Sequence, residues 1–168
     1  MRWLGWMIPA LAAAAAVIMG PGSVAAAATY PDSVSGYEYA ATSTQGRFAG
    51  AAPGALPGAW SATVDHTPLG TAATITGGDI YLATYLDGVP ALVTGHFTGG
   101  TVRQLSGFTG CTDQQYAVNG SVGNVGVGPA GTGSGAFAGT LTHHRTKIFG
   151  HCVIYSATIT GSLTLTPS

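Results

Sequence analysis

Phe137-Ala138-Gly139-Thr140-Leu141 and Ile159-Thr160-Gly161-Ser162-Leu163 each place a glycine between two large apolar residues at a spacing of two. The glycine-centred unit recurs at Ile75-Thr76-Gly77, Phe97-Thr98-Gly99 and Val118-Asn119-Gly120. In an extended chain, positions i, i+2 and i+4 share a face, so these glycines fall within the apolar face. A glycine there weakens the strand, and it marks a bend, a bulge or a place where something must approach closely. Successive units lie about 20 residues apart, the length of a strand, a turn and a return strand. The pattern predicts a small, strongly curved antiparallel sheet.

Strand patterns extend outward from these units. Gly36 to Thr42, Ala59 to Val64, Ala91 to Phe97, Gln115 to Val122, Ala136 to His144 and Cys152 to Thr166 all read as strands. Ala73 to Thr76 leads through Gly77-Gly78 into Ile80 to Tyr85, and Asp87-Gly88 is the clearest hairpin turn in the chain. Gly99-Gly100 either bends its strand onward or turns it. Thr29 to Ser35 reads as a loose segment, because Pro31-Asp32-Ser33 disfavours regular structure, and Gly123 to Gly135 reads as a glycine-rich connection. No amphipathic helical run follows the first 28 residues. The expected fold is all-β: an antiparallel meander of about seven to nine strands forming a closed or nearly closed up-and-down β-barrel, with a two-sheet β-sandwich as the alternative. Regularly placed glycines favour the barrel, since they bend a sheet to closure.

The N-terminus carries a different signal. Arg2 precedes an uncharged apolar stretch from Trp3 to Met19, Gly20-Pro21-Gly22 breaks it, and Val24 to Ala28 offers small residues. Residues 1–28 therefore read as a signal peptide cleaved after Ala28, leaving residues 29–168 as one all-β domain, secreted or held at the cell envelope. No later stretch approaches a membrane helix in length, so no integral membrane segment is expected after cleavage.

Charge narrows the partners. Without Arg2 the five cations become four (Arg47, Arg103, Arg145, Lys147) against six carboxylates, a formal charge of −2. Such a surface neutralises few phosphates, so nucleic acid is excluded as a partner class, and no polybasic run is present for anionic membranes. The two cysteines, Cys111 and Cys152, are expected to pair in an oxidising compartment. The alternative is a thiolate at Cys152 beside His151, but adjacent strand residues face opposite ways.

Few residues promise chemistry. His143-His144-Arg145-Thr146-Lys147 with His151 is the densest reactive cluster, and it lies at the last hairpin. Two imidazoles there still need a third metal ligand, from Asp65-His66 or His96, and the spacing matches no metal motif, so no metal or other cofactor is expected. Glu38 is a candidate interior acid or base, although burial preference points Tyr37 and Tyr39 inward and Glu38 outward. The candidate pocket set is Glu38, Tyr37, Tyr39, Trp60, Tyr81, Phe97, Tyr116 and Phe137, whose side chains either fill the barrel or line an apolar cup.

Gly139-Thr140-Leu141-Thr142-His143-His144-Arg145, with Phe149-Gly150-His151-Cys152 and the long last strand, resembles uncharacterised secreted β-proteins of high-GC actinobacteria. The architecture is also similar to dirigent and allene oxide cyclase barrels, which wrap eight antiparallel strands around an apolar cavity. These resemblances imply a fold and supply no catalytic residue. The expected function is non-catalytic binding of a small apolar ligand or an envelope component. The alternatives are a barrel-type cyclase or isomerase and a structural or interaction protein of the envelope; oligomeric state is left open.

Overall fold

The structure, a computed structural model, describes residues 28–105, 109–128 and 131–168. The signal-peptide reading of residues 1–28 falls almost wholly outside the described residues. Eight strands follow one another: β1 (Tyr30–Ala41), β2 (Gln45–Ala52), β3 (Gly58–His66), β4 (Ala72–Leu86), β5 (Val89–Gln104), β6 (Gln114–Val127), β7 (Gly133–Ile148) and β8 (His151–Thr166). Each pairs antiparallel with its neighbour, and β8 pairs back onto β1 to close the barrel. No described residue is helical. The sandwich alternative is thereby ruled out: a continuous ring of ladders leaves no second sheet.

The inward face is the one the glycine units define. Phe137 and Leu141 on β7, Ile159 and Leu163 on β8, and Val118 and Val122 on β6 are buried, with Gly139, Gly161 and Gly120 between them. The glycines make room for rings. A Cβ on Gly139 would lie 2.7 Å from Phe137 Cζ, and one on Gly36 would lie 2.8 Å from Trp60 Cζ2. Those aromatic side chains occupy the space a Cβ would need, so the rings pack against bare backbone. Gly99-Gly100 bends β5 onward through a bulge, so Val89–Gln104 is a single strand. Asp87 and Gly88 have φ of 51° and 78°, the two left-handed positions that a tight two-residue hairpin requires.

Two expectations are corrected. Thr29 to Ser35 is not loose: β1 begins at Tyr30, and Asp32 is buried with its Oδ2 accepting the Leu56 main-chain N–H at 2.7 Å. Pairing with β8 orders this segment despite Pro31. Gly123 to Gly135 is mostly strand, because β6 runs on to Val127 and β7 starts at Gly133, each supported by a partner on its other side.

The two ends of the barrel differ. At one end the β2–β3 connection folds inward, burying Leu56 beneath it. At the other, β7 and β8 outrun their neighbours: the β6–β7 register ends at His143 and the β1–β8 register at Thr158. The remaining β7–β8 ribbon projects to a turn at Phe149-Gly150. A disulfide between Cys111 and Cys152, with Cα atoms 5.6 Å apart, ties this ribbon to the β5–β6 connection. Among the described residues no helix is long and apolar enough to cross a membrane.

Candidate ligand cavity

Glu38 and His143 meet inside the barrel. Their strands, β1 and β7, are separated by β8, so the two side chains must reach across it. The residue of β8 opposite His143 is Ala157, buried and small, and it leaves the space in which they meet. Glu38 Oε2 lies 3.4 Å from His143 Nε2, and each side chain is 11% exposed. Gly46 on β2 clears the other flank, since a Cβ there would sit 2.7 Å from Glu38 Oε1. Tyr116 of β6 packs its ring edge-on against the imidazole, with centroids 5.4 Å apart. Burial pushes the Tyr116 phenol above its usual pKa, and the Arg145 charge partly offsets this.

The pair stands in an apolar chamber of about 90 Å³, walled by Trp60, Ile75, Phe97 and Phe137 among others. One water needs only ~10–15 Å³ of such space. The chamber extends past Glu38 and His143 to Thr42 on the β1–β2 connection, His66 at the end of β3 and Leu69 on the β3–β4 connection, at the end opposite Leu56. It is a cup with a floor and a mouth, and its polar groups stand near the mouth. Neither ring nitrogen of His143 makes a hydrogen bond, although both are buried; Nε2 has only the Glu38 carboxylate at ion-pair distance, and Nδ1 faces no polar partner. An unsatisfied buried donor or acceptor costs ~1–3 kcal/mol. The site therefore carries an unmet polar requirement within otherwise apolar walls.

Of the sequence candidates, Glu38, Trp60, Phe97 and Phe137 line this chamber, and Tyr116 is buried against its histidine. Tyr37, Tyr39 and Tyr81 do not: they are 55%, 55% and 43% exposed on the outer face. The expected orientation of the Tyr37-Glu38-Tyr39 triplet is reversed. Val34 sets the frame of β1, so Gly36 and Glu38 share its inward face and the tyrosines take the other. Trp60 is held by donating its indole N–H to the Ser35 and Ala51 carbonyls, at 3.1 and 3.2 Å.

Sequence reasoning missed His143 as an interior residue. In sequence it clusters with His144 and His151, but strand alternation divides that cluster: His143 points into the barrel, while His144 and His151 are on the outside. Among the described residues no three His, Cys, Asp or Glu side chains are placed to share a metal ion. Comparisons with protein-family models, curated proteins and solved structures return no match to this chain.

Proposed function

We propose that this protein binds a small, predominantly apolar molecule inside the barrel, with the ligand's single polar group placed between His143 and Glu38. The observation that carries this reading is the buried His143 imidazole, whose nitrogens make no hydrogen bond and whose Nε2 has only the interior Glu38 carboxylate at ion-pair distance. An imidazole can donate from one nitrogen and accept at the other, and a carboxylate accepts. A carbonyl or hydroxyl group entering there would satisfy what the apolar walls cannot. The chamber takes one ring, or the end of a longer apolar chain that continues out through the mouth at Thr42 and His66.

The disulfide and the apolar, alanine-rich first 28 residues support export, so the ligand would be met outside the cytoplasm. An eight-strand meander resembles dirigent and allene oxide cyclase barrels in architecture alone, a likeness that is compatible with a cavity and implies no reaction. The interior carboxylate–imidazole pair favours one second reading, a proton-transferring isomerase that uses the same pocket.

Trp60 is the only tryptophan beyond residue 28 and it lines the chamber, so its fluorescence reports occupancy. Titration with matched ligands (cinnamyl alcohol, cinnamaldehyde and propenylbenzene) is expected to give saturable changes, tighter for the two oxygenated molecules. His143→Ala should remove that preference and leave hydrocarbon binding in place. Absence of a saturable response to any of the three would refute the proposal.

A further inference from the structure

The outer face of the same wall holds a second, independent arrangement. His144 Nδ1 lies 2.8 Å from Asp113 Oδ2, and its Nε2 lies 3.0 Å from the Thr158 hydroxyl. The other Asp113 oxygen accepts the Arg145 main-chain N–H at 3.1 Å. That N–H first, and the His144 hydrogen bond second, hold the Asp113 carboxyl below its usual pKa. A carboxylate at Nδ1 fixes the proton there and turns the Nε2 lone pair toward the Thr158 O–H. A hydroxyl, a base within hydrogen-bond reach and a third group orienting that base together make the arrangement by which enzymes activate a nucleophile.

The surroundings suit an aromatic substrate. Tyr37 stands directly across from Thr158 in the β1–β8 register, and Tyr39 packs edge-on against Tyr37 at 6.5 Å. Tyr155 lies over the His144 ring, with centroids 6.2 Å apart. The three tyrosines are 55–65% exposed, and they frame an exposed hydroxyl. The β1–β8 register stops at Thr158, so the β8 backbone beyond it, from Ser156 toward His151, has no β1 partner.

We propose that Thr158 is an acyl-accepting nucleophile, with His144 as its base and Asp113 as the positioning residue, acting on aryl esters that lie against Tyr37, Tyr39 and Tyr155. The Thr158 oxygen bonds to the acyl carbon as its proton passes to His144 Nε2. Collapse of the tetrahedral species breaks the bond to the aryl oxygen, which leaves with that proton. Water, deprotonated by His144, then attacks the acyl-threonine, releasing the acid and restoring Thr158. The sum is ester plus water to acid plus phenol.

The test is reaction of the purified mature chain with p-nitrophenyl benzoate and p-nitrophenyl acetate, following p-nitrophenolate release and mapping acyl adducts by peptide mass. The expected result is acylation at Thr158, faster with the benzoate. Thr158→Val should abolish the adduct and lower release at least tenfold, while Thr158→Ser retains both. Asp113→Asn should slow acylation at least tenfold with KM unchanged, an effect that a merely structural tie would not produce. Trp60-reported cavity binding should be untouched by Thr158→Val, which separates this proposal from the interior one. Acylation confined to other residues, or equal release by wild type and Thr158→Val, would overturn it.

Discussion

His143 and His144, adjacent in sequence, stand on opposite sides of the barrel wall, and each faces its own carboxylate: Glu38 at 3.4 Å inside and Asp113 at 2.8 Å outside. Strand alternation makes them independent. A substitution at one leaves the surroundings of the other intact, and the two sites can be tested separately.

Removing one member of the inner pair should cost more than removing both. His143→Leu leaves Glu38 facing apolar walls, and Glu38→Leu leaves the imidazole alone; each is expected to destabilise by ~1–3 kcal/mol. The double replacement by leucine should recover much of that loss, since apolar isosteres often match or exceed a buried pair. A double-mutant cycle from urea unfolding measures the coupling. The double variant should also lose its preference for oxygenated ligands.

Gly139 and Gly161 face each other across β7 and β8, where a side chain on either would strike opposing backbone. Gly139→Val or Gly161→Val is expected to cost at least ~1–3 kcal/mol through overfilling. Gly70 has nothing within 4 Å, so Gly70→Val should fall within ~0.5 kcal/mol of wild type. Thermal melts of the three variants check the ordering.

Stability should depend on Asp113 in acid. Its carboxyl is held low by the Arg145 N–H and by His144. A depressed folded pKa gives stability that is present above the unfolded value of about 3.9 and lost as pH falls through the folded value. The gap in urea midpoint between wild type and Asp113→Asn should therefore be open at pH 5 and close as pH is lowered past about 4. A gap that widened in acid would contradict the sign.

Phe149 is 97% exposed and has φ of 48°, a left-handed conformation in which a bulky residue is strained. Asparagine tolerates that conformation, and the exposed ring contributes no burial. Phe149→Asn should raise stability by a fraction of the ~1–2 kcal/mol that a left-handed residue costs. Calorimetry should show the midpoint rising.

If the chain is exported, as proposed, the exported form should start near Thr29, and it should hold no free thiol. Closing a loop between cysteines 41 apart contributes ~4 kcal/mol in the chain-entropy model. Intact mass with and without alkylation tests the first point. The Cys111→Ser/Cys152→Ser variant should melt many degrees lower.

The barrel was legible because glycine and apolar residues alternate in phase over most strands. The same phase would have found the inner site. Two steps beyond Phe137, Gly139 and Leu141 comes His143, and two steps beyond Val34 and Gly36 comes Glu38. Both were obscured by a stronger local impression, a histidine cluster in one case and two tyrosines in the other. The Tyr-Glu-Tyr triplet shows how the frame of a whole strand overrides the burial preference of single residues. Other features had no local signal. Asp32 serves the Leu56 N–H, 24 residues away, and the Thr158–His144–Asp113 series joins two strands and a connection. Such partners become visible only once registers are set.

The seam between β1 and β8 has a consequence for how the molecule assembles. Thr29 and Thr166 bring their hydroxyls within 3.0 Å across 137 residues, whereas every other ladder joins strands that follow one another in sequence. Closing so long a loop carries an entropic cost that local hairpins avoid, and contacts of this range slow folding. Until the last strand arrives, β1 and β7 are raw edges and the cavity has no wall behind Glu38 and His143. The strand synthesised first is the last to be satisfied, and the pocket comes into being in that closing step.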